Sequence, residues 1–167
     1  MNFITEQDFN ETARTAPYYQ DRWGYFNAVI EMAKKVNPKS ILEIGVFKLP
    51  VCRDSDTMDI KSDSDRLTFL QDAKQTPYNV KDKRYDLLIA MQTLEHMHPE
   101  QKKVFAEWKR IAKVVIISLP YLWECPLDEM HHQITMEKIK EWTGTEPSEK
   151  QFIGSRIVLK YNFKDYA

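Results

Sequence analysis

Glycine is scarce in this chain, with four among 167 residues. A glycine-rich ligand loop therefore has little to form from, because such loops need residues without a Cβ at close intervals. Cysteine is scarcer still. Cys52 and Cys125 are too few for a disulfide scaffold, and buried or incidental thiols are the ordinary outcome for such residues. No apolar run approaches the roughly 18 residues of a membrane span. The opening segment MNFITEQDFN lacks the apolar stretch of a signal peptide. A net charge of -1, from 24 basic and 25 acidic residues, leaves no basic excess for a footprint on duplex nucleic acid. These absences lead to the expectation of a reduced, cytoplasmic protein that takes neither nucleic acid nor membrane as a partner.

What is present is an ordinary globular mixture, 43% hydrophobic and 29% charged, which excludes a wholly disordered or collagen-like chain. The length suits one domain over 1–167, with 1–37 as a helical segment packed on its core. Thr5 and Asp8 have the spacing of a capping box, and Ile4 and Phe9 that of a hydrophobic staple, so a helix starts at Thr5 and breaks near Pro17. A second helix is predicted over 18–36, where Phe26, Val29, Ile30 and Ala33 recur at helical spacing. Asn37-Pro38 stops it.

Short apolar runs follow. Residues 41–46 (ILEIGV) and 85–91 (YDLLIAM) read as buried strands, with weaker candidates at 57–60 and 67–71. Pro99 suits the first turn of a helix whose stripe is Val104, Phe105, Trp108, Ile111 and Ala112. Residues 114–119 (VVIISL) form the most hydrophobic strand. Thr135 caps a short helix that Gly144 ends, and 151–163 read as one or two final strands. Continuous apolar strands alternating with helices predict an α/β fold, a doubly wound and mostly parallel sheet. Ligands of such sheets sit at the carboxyl ends of the strands.

The run ILEIGV, then Asp59 ending a second strand, QDA ending a third, YDLLIAMQTLEH and VVIISLPY together resemble the class I S-adenosylmethionine-dependent methyltransferases. The resemblance spans about 38–125, more loosely 131–161, and is most specific in DLLIAMQTLEHMHPEQKKVFAEWKRIAK. It implies S-adenosylmethionine as cofactor and methyl transfer as activity. Gly45 would let the backbone approach the ligand. Glu43 is similar to the acidic residue that holds the amino group of the methionine part. Asp59 would accept the ribose hydroxyls, Asp72 with Ala73 would meet the adenine, and Gln92 and Thr93 would pack on the cofactor. Each has a plain alternative as a turn glycine, a paired strand carboxylate or a cap.

The sequence departs from that pattern after the first strand. The Gly-x-Gly-x-Gly loop is replaced by GVFKLPVCRDSD, and the first two connections are too short for crossover helices. Lys48, Arg22 or Tyr18 would have to take over the cofactor's carboxylate.

His96 and His98 follow the fourth strand, and His131 and His132 follow the fifth. A hydroxyl acceptor benefits from a base of near-neutral pKa, which makes His96 or His132 the candidate catalytic group, with Glu95 orienting His96 or acting itself. Tyr121, Trp123 and Trp142 would wall an acceptor site or form a satellite cluster. The leading reading is methyl transfer to a small-molecule or sugar hydroxyl, with no metal. Two rivals stand beside it. One is a degenerate binding or partner protein without transfer. The other is a metal-dependent enzyme using His96, His98, His131 and His132 with Glu95. Trimmed crossovers would leave sheet surface for a second copy or a partner subunit to cover.

Overall fold

The computed structural model describes residues 1–61, 66–128 and 130–163. Thr5 starts helix α1 (Glu6–Thr15) with the expected capping box, and Ile4 and Phe9 are buried beside it. Pro17–Tyr19 form a single 3-10 turn, and helix α2 begins only at Trp23, running to Val36. The later start has a local cause: Asp21 holds a φ of 58°, which no helix continues through. Asn37, left-handed at φ 51°, closes α2 before Pro38.

Seven strands follow: β1 (Ile41–Ile44), β2 (Asp56–Asp59), β3 (Phe69–Leu70), β4 (Tyr85–Met91), β5 (Ala112–Pro120), β6 (Glu149–Ile153) and β7 (Arg156–Asn162). They make one sheet in the order β3-β2-β1-β4-β5-β7-β6. The first five are parallel, and only β7 and β6 run antiparallel. This is the expected doubly wound, mostly parallel α/β sheet. Its strand order reverses between β1 and β4, which places the ligand edge at their carboxyl ends.

The sheet is covered on both faces, as its unbroken apolar strands require. Leu42, Ile44, Leu88, Ala90, Val115 and Ile117 face helix α3 (Gln101–Ile111) and helix α4 (Met136–Thr143), which contribute Phe105, Trp108, Ile139 and Trp142. Trp142 therefore belongs to the main core, not to an acceptor wall. Ile41, Leu87, Ile89, Val114 and Ile116 face α1 and α2. Each fully buried large side chain in these layers contributes about 1.5–3 kcal/mol. Pro99 lies two residues before α3, whose N-cap is Glu100, and His98 ends the 3-10 turn Leu94–Met97. The Glu100 amide bonds to the Met97 carbonyl, so the turn finishes before α3 begins.

The β1–β2 connection has no helix, as its short spacing required, and neither has β3–β4; the β2–β3 connection, also expected to lack one, includes residues 62–65, outside the described residues. Side chains do the work instead. The buried Glu43 accepts from the amides of Val51 (2.7 Å) and Cys52 (2.8 Å) and from the Ser55 hydroxyl (2.7 Å). The Tyr19 hydroxyl accepts from the amides of Lys48 (3.1 Å) and Leu49 (3.0 Å). Over the loop lies the N-terminal segment, where Phe3 bridges Cys52 and the Ile4 amide bonds Val51. Arg53 pairs with Asp8 of α1 at 2.5 Å. The β3–β4 connection hangs on α3: the Tyr78 amide donates to Glu107, and Arg110 reaches the carbonyls of Tyr78 and Val80.

Burial pushes the Glu43 carboxyl up to about 7, even with three donors that favour its ionised form. A raised folded-state pKa means that the folded chain keeps a proton the unfolded chain has lost. This group's contribution therefore declines as pH rises from about 4.5 to 7 and is flat above. Glu43→Gln should remove that decline. It should also lower stability by about 1–3 kcal/mol, because its amide must oppose the Val51 N–H or the pair at Cys52 and Ser55. Urea midpoints of both proteins from pH 5 to 8 check the two effects.

Candidate functional site

The carboxyl edge of the sheet gathers most of the residues singled out in sequence. Gly45 follows β1 with a φ of 72°. A Cβ there would overlap the Thr93 hydroxyl and lie 2.9 Å from its methyl. The close approach that demands glycine is thus made by the chain itself: Thr93 bonds the carbonyls of Met91 and Ile44 and ties the end of β4 to the end of β1.

Asp59 ends β2 as expected. Its Oδ2 accepts the Phe47 amide at 3.0 Å, and its Oδ1 accepts those of Ile60 (2.7 Å) and Lys61 (3.3 Å). Two carboxylate oxygens offer about four acceptor positions, so roughly one remains. Asp72 lies just beyond β3, its Oδ1 accepting the Lys74 amide at 2.9 Å, and Ala73 is buried beside it with its carbonyl bonded to Tyr78. Gln92 follows β4 at φ 50° and donates to the Ser118 hydroxyl on β5. Glu43 is the exception. Expected to hold an amino group, it is buried, and its oxygens accept from Val51, Cys52 and Ser55 within the β1–β2 loop.

Between Phe47 and Cys52 every backbone N–H is taken by a side chain of the protein, Pro50 having none. No amide there is left to cradle an anion. Beside this loop stand two half-exposed rings, Phe47 and Tyr18, 5.5 Å apart, with the Arg22 guanidinium 4.2 Å over the Tyr18 ring. Lys48 lies over Phe47. Arg22 and Lys48 are the cations within this group.

The second half of the edge carries the histidines. His96 and His131 meet edge to face at 4.9 Å. Burial and the neighbouring His131 hold His96 below its ordinary pKa. His131 Nδ1 lies 2.5 Å from Asp128, and its ring packs on Trp123. His132 does something else. Its Nδ1 accepts the Cys125 amide at 3.1 Å and so braces the loop. Tyr121 packs on Phe152.

Glu95 is 1% exposed, and neither of its oxygens has a hydrogen-bond partner. Burial pushes its carboxyl up to about 8, against the pull of Arg156. Arg156 was not singled out in sequence. It starts β7 and lies at this edge because β7 runs antiparallel to β5 and pairs Arg156 with Pro120. The only signal was a lone arginine opening an apolar strand. Phe47 and Asp128 were missed as well, since nothing local marks either.

No family model matches the sequence, and no curated protein matches it significantly. Solved structures do match in fold. One is the 1,6-didemethyltoxoflavin-N1-methyltransferase of Burkholderia thailandensis, with bound 1,6-didemethyltoxoflavin and S-adenosylhomocysteine. It has a TM-score of 0.65 and 12% identity over 95% of this chain and 87% of that one. A S-adenosylmethionine-dependent methyltransferase from Clostridium acetobutylicum matches with a TM-score of 0.62 and 11% identity, over 93% and 98% of the two chains. The [4+2]-cyclase SpnF matches with a TM-score of 0.57 and 18% identity, over 75% and 58%. This chain has the fold of the S-adenosylmethionine-dependent methyltransferases, and the cyclase is a reminder that one fold hosts several reactions.

Gly45→Ala should destabilise the protein by more than about 2 kcal/mol, since it adds both a left-handed alanine and an overlap with Thr93. Thr93→Ala in the same chain should recover part of that loss, because it removes the hydroxyl and methyl that the Cβ meets. Denaturant midpoints for the two single variants and the double variant give the coupling.

Proposed function

We propose that this protein is a S-adenosylmethionine-dependent methyltransferase acting on a hydroxyl of a small molecule or sugar intermediate. The observation that carries the reading is the pair of carboxylates, Asp59 at the end of β2 and Asp72 just beyond β3, in this strand order. Asp59 would accept from ribose, and Asp72 with the Ala73 amide would meet adenine. Gly45 and Gln92 would flank the methionine part. Arg22 or Lys48 would pair with its carboxylate, in place of the loop amides that are already bonded. When bound, the cofactor supplies an electrophilic methyl group on a sulfonium. Phe47 and Tyr18 offer ring faces suited to that cation.

The residues of the histidine edge would then handle the acceptor. A hydroxyl oxygen that attacks the methyl in line must give up its proton, and His96 is an exposed imidazole at that edge. His132, with Nδ1 accepting from Cys125, is better suited to shaping the loop than to proton transfer.

One observation favours a second reading, a methyltransferase-fold binding protein without transfer. The β1–β2 loop is closed by Glu43, Tyr19 and Asp59, and Asp59 has roughly one acceptor position left for two ribose hydroxyls. Calorimetric titration with S-adenosylmethionine and S-adenosylhomocysteine separates the two. Under the first reading both bind with micromolar affinity, and Asp59→Ala weakens them tenfold or more, the loss of about 1.4 kcal/mol or more expected for hydrogen bonds to a charged group. Failure of both to bind at millimolar concentration would leave the second.

A further inference from the structure

We infer that Glu95, His96 and His131 form a binding site for one divalent transition-metal ion of the zinc class. One ligand atom from each lies within 4.8 Å of the other two. Around an ion held at about 2.1 Å, ligand atoms sit roughly 3–4 Å apart, so small side-chain movements close the set. Glu95 and His96 come from the 3-10 turn after β4, and His131 from the loop after β5, so the ion would tie two otherwise separate segments.

An independent observation points to a cation. Both oxygens of Glu95 are buried and without a hydrogen-bond partner. Buried polar atoms in native proteins are nearly always satisfied, and an unpartnered carboxylate is among the most costly to bury. An ion coordinated by Glu95 removes that cost.

The surroundings are arranged as they are around metal-bound imidazoles. A ligating histidine ordinarily gives its second ring nitrogen to a carboxylate, which fixes tautomer and orientation. Asp128 does this at His131 Nδ1, which leaves Nε2 as the ring nitrogen available to an ion. Two nitrogens and one carboxylate suit zinc, manganese, iron or cobalt rather than magnesium or calcium, which take oxygen sets. Three protein ligands leave a position open, the arrangement of catalytic rather than structural zinc. Two cations also act on the cluster. Arg156 acts on Glu95, and Lys74 on His96. They weaken the site's attraction for an ion, while Asp128 strengthens it.

Metal binding stands on this geometry alone. What the ion does rests on the methyltransferase reading. There, its open position would take the acceptor oxygen and lower that oxygen's pKa, so its proton passes to water, and His96 serves as ligand in place of base.

The test is titration of chelator-stripped protein with zinc by calorimetry, with cobalt's visible absorption as a spectroscopic check. One ion per chain should bind with micromolar affinity or better. His96→Ala, His131→Ala and Glu95→Gln should each weaken binding tenfold or more, while His98→Ala leaves it unchanged. His96 is exposed, so its variant keeps the test clear of folding defects, and circular dichroism of each stripped variant confirms the fold. No binding, binding unaltered by His96→Ala and His131→Ala, or an equal loss in the His98 variant would each overturn the site. Titration of the same stripped protein with S-adenosylmethionine is read separately. Zinc bound without it keeps the metal site and removes the methyltransferase reading.

Discussion

The constraint on which this structure depends is the hydrogen bonding of a buried loop that has no helix to supply it. Parallel neighbours such as β1 and β2 are ordinarily joined through a helix, which satisfies its own backbone. Here the connection is too short for one. Its amides are still partly buried, and each needs an acceptor. Glu43, Tyr19 and Asp59 supply them, and each lies on an element that the loop must pack against. The N-terminal segment and α1 then cover the face that a crossover helix would have covered. The same solution recurs at the β3–β4 connection, where Glu107 and Arg110 of α3 hold residues 78–82.

That economy has a chemical consequence. Carboxylates and amides that could serve a ligand are also holding the fold together. Glu43 and Asp59 each already accept three hydrogen bonds, and Glu43 is buried as well. Gly45 is needed for the approach of Thr93 before any ligand is considered. The cofactor half of the edge is therefore a compromise between closing a shortened loop and receiving a nucleotide. The histidine half is the opposite case. Glu95 is buried without a partner, and His96 and His131 face one another across two segments with no structural bond between their rings. Groups left unsatisfied in a well-satisfied molecule are where binding free energy is available.

Much of the fold was legible from local pattern. The capping box at Thr5, the breaks at Pro17 and Pro38, the apolar runs of β1, β4 and β5 and the stripe of α3 each express short-range chemistry: a side chain meeting its own backbone, or periodic burial. Helix α2 was read five residues too long because Tyr18 and Tyr19 look helical, while the left-handed Asp21 that interrupts them carries no local mark. The positions of Gly45, Asp59, Asp72 and Gln92 at the carboxyl edge were likewise readable, because strand ends can be counted.

What those residues do was decided by tertiary structure. Glu43 sits at the same place in the strand whether it holds a ligand or a loop. Only the return of Val51, Cys52 and Ser55 to its carboxylate selects the loop. Of the four histidines, sequence placed two pairs on one edge, and packing chose one from each pair: His96 and His131 meet, His132 turns to Cys125, and His98 ends a turn. Arg156 reaches the edge only because β7 runs antiparallel to β5. The chain by itself determined the elements, their class and the side of the sheet where chemistry gathers, since these follow from contacts within a few residues. Partnership between residues tens of positions apart depends on which surfaces the folded chain brings within hydrogen-bonding distance, and no local pattern encodes that.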